Sequence, residues 1–75
     1  MNIKQWHEYL RSLSEEELLK MALEGNTAKE IMSAYAELVR RYWELRDFDR
    51  RKKTALERKI LMIEEKYGKE IRWIR

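Results

Sequence analysis

Cysteine and proline are absent from this chain of 75 residues, and glycine occurs only at positions 25 and 68. Without cysteine there is no disulfide and no thiolate metal site. The single histidine, His7, excludes a multi-histidine metal site within one chain, and no cofactor is expected. Two glycines so far apart cannot form a phosphate-cradling loop. Ser12, Ser14 and Ser33 stand in no nucleophile-elbow context. No apolar run approaches the roughly 18–20 residues of a membrane span. The N-terminus has no basic region followed by an apolar block, so no signal peptide is expected. These absences point to a non-enzymatic, cytoplasmic protein without a transmembrane segment.

What the chain does have is charge, at 41% of its residues, a composition suited to long solvated helices. Residues 1–75 make one small helical domain. A chain of this size buries only about 60% of its unfolded surface, so it depends on unusually good helix packing or on oligomerisation.

Three Ser/Thr-x-x-Glu motifs punctuate the sequence: Ser14 with Glu17, Thr27 with Glu30, and Thr54 with Glu57. Each matches a capping box, in which the hydroxyl accepts from the third residue's N–H and the carboxylate reaches back. Gly25 is expected to end the helix before Thr27 in a left-handed conformation, and Gly68 to close the last helix. The spacing predicts helices over about 3–13, 15–24 and 28–66.

The run 27–66 holds no Gly or Pro. Ile31, Tyr35, Leu38, Tyr42 and Leu45 form one stripe at steps of 4 and 3. Leu56, Ile60, Ile63 and Tyr67 form a second. Leu56 follows Leu45 by 11 positions, close to three helical turns, so the two stripes would share a face of an unbroken helix. Asp47 with Arg51 and Asp49 with Lys53 would support that helix as acid-first i,i+4 pairs. The fold class is all-α, read as a short N-terminal helical hairpin packed on one long helix over about 28–66. The alternative is a compact four-helix bundle with a turn near 46–53, where Asp47 or Asp49 could cap a new helix. A straight helix would be roughly 60 Å long, too long for the first two helices to cover. Its uncovered distal stripe of Leu56, Ile60, Ile63 and Tyr67 is then the expected interface of a homodimer.

Charge is unevenly placed. Residues 1–39 hold four basic and seven acidic groups, whereas residues 40–59 hold nine basic and four acidic. Arg40, Arg41, Arg46, Arg50, Arg51, Lys52, Lys53, Arg58 and Lys59 are the candidate contacts to nucleic acid, through phosphate neutralisation with counterion release. Tyr42, Trp43 and Phe48 lie among them and could stack on unpaired bases. The plainer reading is a solvated helix surface, or a patch that meets the acidic first third of a neighbouring chain. Four cations at 50–53 would also oppose the dipole of a helix that began there.

The segment Gly25-Asn26-Thr27-Ala28-Lys29-Glu30-Ile31 resembles the opening of a helix-turn-helix unit, which implies a turn and a recognition helix soon after. The chain departs from that pattern after Tyr35, where Ala36-Glu37-Leu38-Val39-Arg40-Arg41 continues helical. His7 reads as a surface or half-buried packing residue rather than a base or ligand. The row Glu15-Glu16-Glu17 is explained by the dipole of a first helical turn. Trp6, Tyr9 and Leu10, and Ile71, Trp73 and Ile74, form short aromatic-aliphatic clusters that suit packing or an anionic membrane surface.

The expected function is a non-catalytic helical protein–protein interaction module, a homo-oligomeric small regulator or adaptor. The runner-up is a basic nucleic-acid-binding protein that uses residues 40–59. A designed helical scaffold is a third reading, since capping boxes and the lack of Pro and Cys resemble design practice. Four methionines argue against an idealised core.

Overall fold

A computed structural model describes residues 2–45 and 49–68, which form four α-helices and no strand. They are α1 (Ile3–Ser12), α2 (Glu15–Glu24), α3 (Ala28–Glu44) and α4 (Arg50–Tyr67).

The helix starts follow side-chain chemistry. Ser14 and Glu17 make the full capping box: Oγ accepts from the Glu17 N–H at 3.1 Å, and Oε1 accepts from the Ser14 N–H at 3.0 Å. The backbone N–H and hydroxyl of Ser14 hold the Glu17 carboxyl below its ordinary pKa. Thr27 accepts from the Glu30 N–H at 3.2 Å and starts α3. A further box lies at Asn2 and Gln5, whose side chains satisfy each other's backbone N–H. Thr54 corrects the third sequence-based box, because it lies inside α4 and starts nothing.

Gly25 also differs from expectation. Its φ of −63° and ψ of 148° are extended, not left-handed. Its need for glycine is steric: a Cβ there would meet the Met21 carbonyl oxygen at 2.5 Å and Ile31 Cγ1 at 3.2 Å. Gly68 does adopt a left-handed φ of 64° at the end of α4, and its N–H donates to the Glu64 carbonyl.

The unbroken helix over 28–66 is corrected. α3 stops at Glu44, Leu45 takes an extended backbone with ψ of 139°, and α4 begins at Arg50. The longest dimension is 36 Å, far short of the roughly 60 Å such a helix needs. Breaking a helix loses a few backbone hydrogen bonds, each worth about 0.5–1.5 kcal/mol net. Folding back buries Leu56, Ile60 and Ile63, each worth about 1.5–3 kcal/mol against leaving it in water. Burial wins, helped by the weak helix propensity of Asp47 and Asp49. The phase match between Leu45 and Leu56 is therefore accidental. Asp47 and its expected pair with Arg51 lie outside the described residues. Asp49 precedes α4 without a side-chain capping bond.

Paired contacts give the directions of the helices. Tyr42 meets Lys53 and Tyr35 meets Glu64, so α4 runs antiparallel to α3. Glu15 meets Lys59 and Ala22 meets Tyr67, so α4 runs parallel to α2. Trp6 meets Ser33 and Leu10 meets Arg41, so α1 runs parallel to α3. The end of α1, the start of α2, the end of α3 and the start of α4 thus gather at one end of the molecule. The core between them includes Leu18, Tyr35, Leu38, Leu56, Ile60 and Ile63, all essentially inaccessible. α3 runs without a turn from Ala28 to Glu44, so the helix-turn-helix resemblance leads to no recognition helix.

Because Ile60 packs within its own chain, Ile60→Ala should lower stability by about 2–5 kcal/mol. The thermal midpoint of the unaltered protein should not change with protein concentration. A midpoint that rises with concentration would return the stripe to an intermolecular role.

Candidate functional site

The distal stripe is not the exposed surface that the sequence suggested. Leu56, Ile60 and Ile63 are buried in the core of the same chain. Tyr67 is half-buried, and its hydroxyl donates to the Ala22 carbonyl at 2.7 Å. The uncovered surface on which a dimer through this stripe rested is therefore not there.

The cations of residues 40–59 divide into two groups. Arg40 donates to Glu37 from Nε at 3.0 Å and from Nη2 at 2.6 Å, and its Nη1 reaches Glu44. Arg41 donates Nε to Glu37 at 2.9 Å. Its Nη2 reaches the carbonyls of Leu10, Arg11 and Leu13 at 3.2, 3.1 and 2.7 Å. Backbone acceptors outnumber helical donors at the end of α1, and a cation there also suits the helix dipole. Arg41 thus fastens α1 to α3. Lys59 pairs with Glu15 at 3.3 Å and Glu16 at 3.7 Å on α2. Lys53 Nζ stands 5.2 Å from the centre of the Tyr42 ring.

The second group faces out. Arg50, Arg51, Lys52 and Arg58 are exposed, and none has a hydrogen-bond or ion-pair partner among the described residues. Arg50, Arg51 and Arg58 line one shallow depression floored by Thr54 and Ala55. Lys52 points elsewhere, into a cleft shared with Glu15 and Glu44. The first turn of α4 contains no acidic residue. Arg46 and Phe48 lie outside the described residues.

Trp43 lies near the end of α3, at the end of the molecule where α4 begins. It is 63% exposed, and its ring meets Tyr42 edge-on with centroids 5.3 Å apart. Further along the outer face of α4, Leu61 and Met62 are also exposed. Trp6, in contrast, donates its indole N–H to Ser33 Oγ at 3.0 Å, and Leu10 is buried. Ile71, Trp73 and Ile74 lie outside the described residues. His7 is exposed at a groove between α1 and α3, beside Met32 and Ala36. Among the described residues no three His, Cys, Asp or Glu side chains are placed to hold a metal ion, and no helix is long and apolar enough to cross a membrane.

Sequence reasoning missed the Glu37–Arg40–Arg41 cluster. Its signal was available, since Glu37 and Arg41 are an acid-first i,i+4 pair. It also missed the buried bond from the Tyr35 hydroxyl to Glu64, for which the local pattern has no signal.

No protein-family model matches the chain, and no curated protein or solved structure matches it.

Glu37 makes stability depend on pH. Burial pushes its carboxyl up, but the hydrogen bonds and positive charges of Arg40 and Arg41 outweigh burial and hold it below its ordinary value. The unfolded chain therefore takes up this proton at a higher pH than the folded chain. The contribution of Glu37 is complete above the ordinary value of about 4.3 and is lost as pH falls through the lowered folded value. Urea unfolding followed from about pH 6 to about pH 3 should show stability falling with acid, and Glu37→Gln should flatten that fall. An equally steep fall in the variant would remove Glu37 from the acid response.

Proposed function

We propose that this protein is a non-catalytic helical binding module whose partner is a nucleic acid, held by its phosphates on the outer face of the first turns of α4. The observation that carries the reading is the depression lined by Arg50, Arg51 and Arg58, whose charges no carboxylate among the described residues neutralises. Guanidinium groups present forked donors that match phosphate oxygens. Arginines beside a helix N-terminus repel one another and oppose its dipole. A bound phosphate relieves both penalties. The face is narrower than the whole basic segment, because Arg41 and Lys59 hold neighbouring helices and Arg40 is paired with Glu37 and Glu44 along α3.

Fluorescence anisotropy with labelled oligonucleotides tests this. Binding should weaken steeply between about 50 and 200 mM salt. Replacing Arg50, Arg51 and Arg58 by Gln should weaken it and reduce the duplex salt slope by about 0.9 for each phosphate no longer neutralised. Circular dichroism should be unchanged. Absence of binding at about 50 mM salt, or binding indifferent to the triple variant, would refute the reading.

Leu61 and Met62, which are 39% and 48% exposed, favour a second reading. They continue the face beyond Arg58 and suit a protein partner with acidic and apolar side chains on one helix face. On that reading, Leu61→Ser with Met62→Ser abolishes a measured association that the triple arginine variant only weakens.

A further inference from the structure

We infer that Trp43 is a stacking platform for an unpaired base, so that the nucleic acid bound by the α4 face is single-stranded. This rests on the nucleic-acid reading above and specifies the form of the ligand.

Trp43 is 63% exposed near the end of α3, although a tryptophan gains much from burial. It is also held in place. The Tyr42 ring meets it edge-on at 76°, and Tyr42 is itself half-buried and covered by Lys53 Nζ at 5.2 Å. Lys53 lies three residues along α4 from Arg50, on an adjacent part of the helix surface. The exposed indole near the end of α3 and the exposed guanidinium groups of Arg50 and Arg51 at the start of α4 therefore share one end of the molecule, with Tyr42 and Lys53 in contact across the same seam. Each half of this arrangement serves a different part of a nucleotide. The guanidinium groups suit phosphate, and the indole face suits a base. Duplex bases are already stacked on one another and cannot use the indole without unpairing. A single strand offers bases and phosphates together, which is how sequence-tolerant single-strand binding works.

The test compares four probes at one salt concentration: a single-stranded oligothymidylate, an abasic strand of equal length, a duplex, and phosphatidylserine vesicles. The abasic strand keeps phosphates and lacks bases, so it separates stacking from charge. The oligothymidylate should bind more tightly than the abasic strand and the duplex. Trp43→Ala should weaken oligothymidylate binding by about tenfold or more, the range for removal of one base stack. It should leave abasic binding and the salt slope unchanged, and Trp43→Phe should restore most of the affinity. An unchanged melting curve shows that the exposed side chain was removed without harm to the fold. If oligothymidylate and abasic strand bind alike, or Trp43→Ala has no effect, the stacking inference fails while the phosphate reading stands. If no nucleic acid binds, both fail. Vesicle binding that needs Trp43, with no preference for bases, assigns this end of the molecule to a membrane surface and overturns the inference.

Discussion

Between α3 and α4 the Tyr35 hydroxyl donates a hydrogen bond to Glu64, and both residues are buried. A carboxyl group inside a small core is costly unless it is hydrogen-bonded. A purely apolar seam tolerates sliding, because one Ile can replace another in the same packing position. This pair does not. Moving α4 by one turn along α3 would carry Glu64 away from the hydroxyl and set Ile60 in its place in one direction, or the end of the helix at Tyr67 and Gly68 in the other. The bond therefore specifies the register of α4, and with it the pairing of Tyr42 with Lys53 at the other end of the same seam.

The helix content and the starts of α2 and α3 are legible locally. Ser14 and Thr27 are capping signals that act within four residues, and both cap helices in the folded chain. The Asn2–Gln5 box uses the same mechanism with less common residues and falls outside the Ser/Thr-x-x-Glu pattern. The break after Glu44 is harder to read, because its cause is not local. No Gly or Pro marks it. It follows from the need to cover Leu56, Ile60 and Ile63, which only a view of the whole chain supplies. Periodicity correctly placed those residues on one face but did not say which surface would cover that face. A second chain and the preceding helices satisfy the same pattern.

The candidate site was legible in the same partial way. Counting charge located the basic segment but could not sort it. Arg41 and Arg50 look equivalent in sequence. One reaches three carbonyls at the end of α1, and the other faces solvent. The difference arises because α1 runs parallel to α3 and ends beside Arg41, a tertiary fact. Glu37 makes a similar point. Its carboxylate serves two arginines at once, so much of the positive charge on α3 is balanced within the helix.

The outward arginine face then follows from the core by helix geometry. Leu56, Ile60 and Ile63 point inward, and an α-helix turns about 100° per residue. Arg51, Thr54 and Arg58 consequently fall nearly opposite that buried stripe. Lys59 and Lys53 fall on its flanks, where α2 supplies Glu15 and α3 supplies the Tyr42 ring. Lys59 and Lys53 thus meet neighbouring helices, whereas Arg51 and Arg58 have none to meet. The fold-back that removes the apolar stripe from solvent therefore also selects which charges remain there. A dimer through the stripe and a free basic face were separate expectations from the sequence. In the folded chain one rearrangement bears on both: it turns the stripe inward and leaves Arg51 and Arg58 on the solvent side of α4.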